Sequence, residues 1–287
     1  MTVESVQRVI FVHIPKAAGS TLEGILVRRY PPGEIFALHP ALPYQSLEEL
    51  KGLPPQQRSR IRLVTGHMPY GAHEHFAQPS VYVSMIRHPV KRLISHYRFV
   101  LRRPAHYLYE AVTSRKMSLR EYVQSGISTE TDNGQVRLLA GHDRDIPYGD
   151  CNEALLEKAK QNILHHFVLV GISEDFDRSL VLMSRKLHWA NVPVYRTANV
   201  APPAAVEIPN GTIEAVEQCN PLDLALYDWV KARVQSEWRA ESQQLDRIHR
   251  RFLVRKWLYQ ATTQRFRRVN GLARRTVRRM LVPTAGR

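Results

Sequence analysis

The chain has 287 residues, enough for one large α/β domain or two small ones. Its 44% hydrophobic content is ordinary for a globular protein, and its two cysteines, Cys151 and Cys219, exclude a disulfide framework. The formal net charge of +15 is uneven: thirteen of the 41 Lys/Arg fall in residues 247–287, which hold no Asp or Glu. Residues 1–246 are therefore close to neutral, and the high basicity is no argument that the body binds nucleic acid. The first ten residues lack the apolar core of a signal peptide, and no stretch reaches the roughly 18 uninterrupted apolar residues of a membrane span. The expectation is a soluble, cytoplasmic protein.

In chain order, residues 9–12 are an apolar, β-branched run that reads as a buried strand. Pro15 ends it, a small-residue turn follows through Lys16, Ala18, Gly19, Ser20 and Thr21, and Leu22, Ile25 and Leu26 begin a helical stripe. Residues 30–33 break that helix, and residues 34–60 read as irregular, with a short helix near 46–51. Residues 61–65 form a short strand with a loop after it, and residues 80–86 a clear strand leading into a helix over 90–100. A helix over 151–165, a strand over 167–172 and a helix over 176–187 follow a mainly helical and looped stretch at 105–147. Residues 191–211 read as a Pro-rich loop, and the chain is helical from 221 onward. Repeated strand–loop–helix units imply an α/β fold, with a central, mainly parallel sheet flanked by helices in three layers. The expected division is a domain over 1–246 and a basic, helical, amphipathic tail over 247–287.

Two strand-to-helix junctions carry candidate chemistry. At the first, a helix N-terminus offers unpaired N–H groups and a partial positive charge, Gly19 permits close approach, Ser20 and Thr21 add hydroxyls, and Lys16 adds a full charge. Together they suit a phosphate, although an ordinary turn with a solvated lysine has the same appearance. The order is not that of a Walker A loop, in which the lysine follows the second glycine. At the second junction, Arg87 stands at a strand end and Ser95 in the next helix. A guanidinium fork and a hydroxyl fit a terminal phosphate, although a structural ion pair for Arg87 and a solvated helix face for Ser95 would read alike.

The motifs P-K-x-x-G-S-T at residues 15–21 and R-x-P-x-x-R-x-x-S-x-Y at 87–97 resemble the 5′- and 3′-phosphate motifs of sulfotransferases that use 3′-phosphoadenosine 5′-phosphosulfate (PAPS). Residues 11–19 are similar to the opening of the heparan-sulfate 2-O-sulfotransferase-like branch and its bacterial relatives. So are Gly66-His67, the D-N-x-Q-x-R-x-L segment from Asp132, and the late segment from Asn220 to Tyr227.

The resemblance covers about residues 9–235 and implies a P-loop-like fold. It also implies sulfuryl transfer from PAPS to a carbohydrate or glycolipid hydroxyl, with no metal. On that resemblance His67 is the general base, and Lys16 stabilises the leaving 3′-phosphoadenosine 5′-phosphate (PAP). Lys16, Ala18, Gly19, Ser20 and Thr21 hold the 5′-phosphate, Arg87 and Ser95 hold the 3′-phosphate, and Asn133, Gln135 and Arg137 are candidates to reach the acceptor or, equally, to serve packing. His13 reads as structural, and the His73/His75 pair lacks the partners of a metal site.

The tail places Phe266, Val269, Ala273, Val277 and Met280 on one helical face with arginines largely elsewhere, and Asn270-Gly271 as a break between two helices. That pattern suits either an anionic membrane surface, here the inner face, or a solvated tail. The competing functions are an ATP-using P-loop kinase and a non-catalytic binder of anionic surfaces. A specific nucleic-acid partner is not expected, because the body shows no aromatic stacking motif.

Overall fold

The computed structural model describes residues 8–40, 42–142, 145–196 and 210–280, with side chains to residue 262. The strand Arg8–Val12 (β1) is buried along its whole length, as the apolar run over residues 9–12, covered on both faces, must be. The chain then runs α1 (Gly19–Leu26), β2 (Ile35–Ala37), α2 (Pro43–Gly52), α3 (Pro55–Arg60), β3 (Leu63–Gly66), β4 (Ser80–Ile86) and α4 (Pro89–Leu101). After α5 (Tyr109–Ser114), α6 (Leu119–Gln124) and α7 (Gly134–Ala140) come α8 (Glu153–His166), β5 (Phe167–Ile172) and α9 (Phe176–Lys186). Next come α10 (Thr212–Cys219), α11 (Pro221–Ala240) and α12 (Ser242–Met280).

The five strands form one sheet in the order β2-β3-β1-β4-β5, and every pair is parallel. The expected α/β class and flanked parallel sheet are thus observed. The strand order reverses at β1, whose neighbours are β3 on one side and β4 on the other. In open α/β sheets the crevice beyond the strand ends at such a reversal is the ligand site. Here it is bounded by the segments after Val12, Gly66 and Ile86. The main core packs the sheet against α1, α8, α9 and α11. A second cluster, built on Val90, Leu93, Val112, Tyr122 and Val216, holds α4, α5, α6 and α10 together.

Two expectations change. Residues 34–60 are more regular than their sequence implies, with β2 at the sheet edge and two short helices, α2 and α3, each opening on a proline. The helix α12 is continuous through Asn270-Gly271, since one interior glycine costs only about 1 kcal/mol. The division expected at 246/247 falls inside α12, which docks on the body through Leu245 and Phe252. Lys256 completes the docking, with Nζ 2.7 and 2.8 Å from the two Asp177 carboxylate oxygens and 2.9 Å from the Tyr195 hydroxyl. Residues 197–209, most of the expected Pro-rich loop, lie outside the described residues, as do the tail side chains from Phe266 on.

Candidate active site

The segment joining β1 to α1 is wound tightly. Lys16 and Ala18 both take the left-handed conformation, with φ of 64° and 63°. For a residue with a Cβ this costs roughly 1–2 kcal/mol each, and such strain gathers at functional sites. Ala18 is the N-cap of α1, and its carbonyl accepts the N–H groups of Thr21 and Leu22. The need for glycine at 19 is set by a side chain: a Cβ there would lie 2.0 Å from His13 Cδ2. The close approach expected of Gly19 is therefore to the His13 ring.

Lys16 lies over the face of Phe99, its Nζ 4.1 Å from the ring centroid. Burial, and after it the charges of Arg102, Arg87 and Arg103, lower its pKa to about 8. A lysine crowded by three arginines is poised for an anion that would relieve the repulsion. Arg87 joins the same group, since its guanidinium donates to the Lys16 carbonyl at 3.2 Å. On its other side Arg87 Nε is 4.0 Å from Glu174, and burial lowers its pKa. Ser95 is half-buried on α4, one turn before Phe99 and so on the same helix face. Lys16 and Arg87 are thus brought together, with Ser95 on the helix that carries the aromatic under Lys16.

His67 follows β3 directly, and its ring lies 4.3 Å from that of His13, centroid to centroid. Its Nδ1 is 2.7 Å from the His13 carbonyl oxygen. A carbonyl can only accept, so Nδ1 carries the proton, and the Nε2 lone pair of the neutral ring is left available. Burial, and next the nearby His13, lower the His67 pKa, which favours that neutral form. His13 is itself held behind His67, with Nδ1 3.5 Å from Glu23, and Glu23 accepts the Thr65 hydroxyl at 2.9 Å. The side chain expected to be structural thus orients the expected base through its backbone carbonyl and its ring.

Asn133, Gln135 and Arg137 stand at the start of α7 and within it, in the interior. They are 3%, 0% and 1% exposed, and their side chains bond to protein. Gln135 reaches back to the strand end: Oε1 accepts the Arg87 N–H and Nε2 donates to the Arg87 carbonyl, both at 2.9 Å. The N–H groups of Gln135 and Val136 in turn donate to Asp223 on α11. Asn133 Oδ1 accepts the N–H groups of Leu222 and Asp223, while the Asn133 N–H donates to Asn220. Arg137 pairs with Asp132 and donates to the Ile146 and Pro147 carbonyls. The two late motifs therefore interlock with each other, and through Gln135 they grip the peptide units of Arg87.

Sequence reasoning missed Glu23, Phe99, Arg102, Arg103 and Glu174. Phe99 alone carried a signal, the four-residue step from Ser95 along a helix face. His73 bonds the Tyr82 hydroxyl through Nδ1 at 2.9 Å, and no group of three or more potential metal ligands occurs among the described residues.

Residues 1–260 match the sulfotransferase family. The relatives matched include a zebrafish heparan-sulfate 6-O-sulfotransferase 1-B, 26% identical over 197 residues, which are 60% of this chain and 48% of that protein. The human heparan-sulfate 6-O-sulfotransferase 1 is 27% identical over 195 residues, 59% of this chain and 47% of that protein. Both carry the 6-O name, where the motifs alone resemble the 2-O branch. The chain spans about half the length of these curated relatives. A solved mouse sulfotransferase complexed with PAP is similar at a TM-score of 0.35 and 13% identity, covering 74% of this chain and 63% of that one. With the family match extending over nearly the whole sequence and both motif junctions meeting at one sheet crevice, this chain belongs to the sulfotransferase family.

Proposed function

We propose that the chain transfers a sulfuryl group from PAPS to a hydroxyl of a carbohydrate or glycolipid. The observation that carries this reading is the cationic group formed by Lys16 and Arg87 at the ends of β1 and β4, with a neutral His67 at the end of β3.

In this reading the first turn of α1, with Ala18, Gly19, Ser20 and Thr21, holds the 5′-phosphate by backbone N–H groups and hydroxyls. Arg87 and Ser95 hold the 3′-phosphate. His67 Nε2 takes the proton of the acceptor hydroxyl as its oxygen bonds to sulfur. The bond from sulfur to the bridging phosphate oxygen breaks, and the Lys16 ammonium meets the charge left on that oxygen. Rather than touching the acceptor, Gln135 holds Arg87 in place, Asn133 ties the start of α7 to α11, and Arg137 braces the segment around Asp132 and Pro147.

A heparan-sulfate acceptor in the named relatives supports a carbohydrate hydroxyl here. The finer setting, a glycolipid acceptor met by a cytoplasmic, membrane-peripheral enzyme, is supported by the basic tail. Titration with PAP, ADP and AMP tests the nucleotide, since only PAP carries the 3′-phosphate. Equal stabilisation by PAP and AMP would remove that site. Radiolabelled sulfate transfer from PAPS to glycan and lipid extracts identifies the acceptor class, and no transfer to either would refute it.

A further inference from the structure

The helix α12 has two unlike sides. Leu245, Phe252 and Lys256 face the body and hold it there. At about 100° per residue, Leu253 falls at the edge of the opposite half, and Val254, Trp257 and Leu258 fall within it. Their exposures are 40%, 60%, 67% and 50%, so four large apolar side chains stand in water on neighbouring turns of one element. Arg247, Arg250 and Arg251 are exposed on the same half, one to two turns earlier. From residue 247 on, the sequence contains no acidic residue.

We propose that this outward face, residues 247–258, docks on the surface of an anionic lipid bilayer. This deepens the membrane-side setting proposed above and is independent of the chemistry at Lys16. A contiguous apolar patch on a soluble domain marks a contact surface, and the chemistry around this one selects the partner. Leu253, Val254, Trp257 and Leu258 enter the boundary between headgroups and acyl chains. Trp257 suits that depth because its ring is apolar and its N–H is polar. Arg247, Arg250 and Arg251 run their alkyl stems along the same surface and place their guanidinium groups among lipid phosphates.

A second copy of the chain fits less well, since this face carries arginines and no acidic residue for a copy to pair with them. A nucleic-acid backbone would satisfy the arginines but leave the apolar residues in water. No helix among the described residues is long and apolar enough to cross a membrane, so the contact is lateral.

The test uses the full chain with vesicles of phosphatidylcholine alone or mixed with phosphatidylserine. The chain should co-sediment with the mixed vesicles, release in high salt, and bind the neutral vesicles at least about tenfold more weakly. Trp257→Glu and the pair Arg247→Glu/Arg250→Glu should each lower binding by about tenfold or more, with unchanged melting temperature because these side chains are exposed. Trp257→Phe should keep binding and lose most of the blue shift of tryptophan emission on the vesicles.

Equal binding to neutral and anionic vesicles would overturn the proposal, as would wild-type binding by Trp257→Glu. Self-association abolished by Trp257→Glu, without vesicle binding, would assign the face to a second copy instead. Stabilisation of every variant by PAP, measured alongside, reports separately on the nucleotide reading.

Discussion

Replacing Gln135 by methionine removes the two hydrogen bonds that hold the peptide units of Arg87, at nearly constant volume. Both bonds are 2.9 Å long, and Gln135 is fully buried. The substitution leaves the Arg87 N–H and carbonyl without these partners, at about 1–3 kcal/mol for each buried group. Relaxation of the strand end returns part of that, so a net loss of stability of about 2–4 kcal/mol is expected. The relaxation is what matters for binding, because it moves the guanidinium. A charge-assisted bond from Arg87 to the 3′-phosphate contributes about 1.5–3 kcal/mol, so its loss weakens PAP roughly 10- to 100-fold. AMP lacks that phosphate, and its affinity should change by less than about threefold. Calorimetric titration of both nucleotides gives the ratio directly. Arg137→Met is the control: it breaks the Asp132 pair, is likewise destabilising, and should leave the PAP-to-AMP ratio unchanged. If Gln135→Met is folded and keeps the parent ratio, the grip on Arg87 does not set phosphate binding.

Other outcomes follow from the same geometry. His67→Ala should lower kcat by about 10²–10⁴-fold while PAP binding is retained, and steady-state kinetics with equilibrium titration separates the two. Because the folded pKa of His67 lies below its unfolded value near 6.5, the unfolded chain binds the proton first as pH falls. Its contribution to stability is therefore complete above that value and declines as pH drops below it. His67→Gln should flatten that part of a melting-temperature profile. Lys16, with a pKa near 8, loses charge in the free protein above that pH, so PAP binding should weaken there and take up protons. Lys16→Arg should abolish the buffer-dependent heat that reports this uptake. Lys16→Ala should mainly lower kcat, and Arg87→Ala should mainly raise the KM for PAPS. Gly19→Ala should cost about 1–3 kcal/mol or more and reduce turnover, because a Cβ 2.0 Å from the His13 ring displaces the group that orients His67.

The parallel sheet was legible because β1, β4 and β5 are mainly apolar runs rich in Val and Ile, with Pro15, Pro89 or Ser173 shortly after each. The edge strand β2 was not, since three residues that pair on one side only leave no pattern in the sequence. Lys16, Arg87 and His67 could be picked out because Arg87 and His67 follow a strand directly and Lys16 stands in the turn four residues after one, where topology gathers ligands. The part played by His13 was hidden: its carbonyl and ring act on His67, 54 residues later, and no local spacing encodes that contact. For Asn133, Gln135 and Arg137 both readings stayed open, acceptor and packing, because residue type alone does not say whether a polar group faces a substrate or a buried backbone.

Their burial shows why these polar residues stand where they do. An apolar contact would hold α7 against α11 at less desolvation cost than Asn133, Gln135, Asn220 and Asp223, all at most 3% exposed. Apolar packing is non-directional, however, and tolerates small slides and rotations. A phosphate-binding arginine at a strand end does not tolerate them, since an error of about 1 Å at the reacting groups costs on the order of 100-fold in rate. Hydrogen bonds fix direction as well as distance, and Gln135 applies two of them to the peptide units flanking the Arg87 side chain. Asp223 then ties that glutamine to α11, and Arg92, 3.7 Å from Asp223, ties the same group to α4, the helix that bears Ser95 and Phe99. One buried polar lattice thus connects the two sides of the proposed 3′-phosphate site, and its cost in stability is offset by holding Arg87 and Ser95 in one geometry.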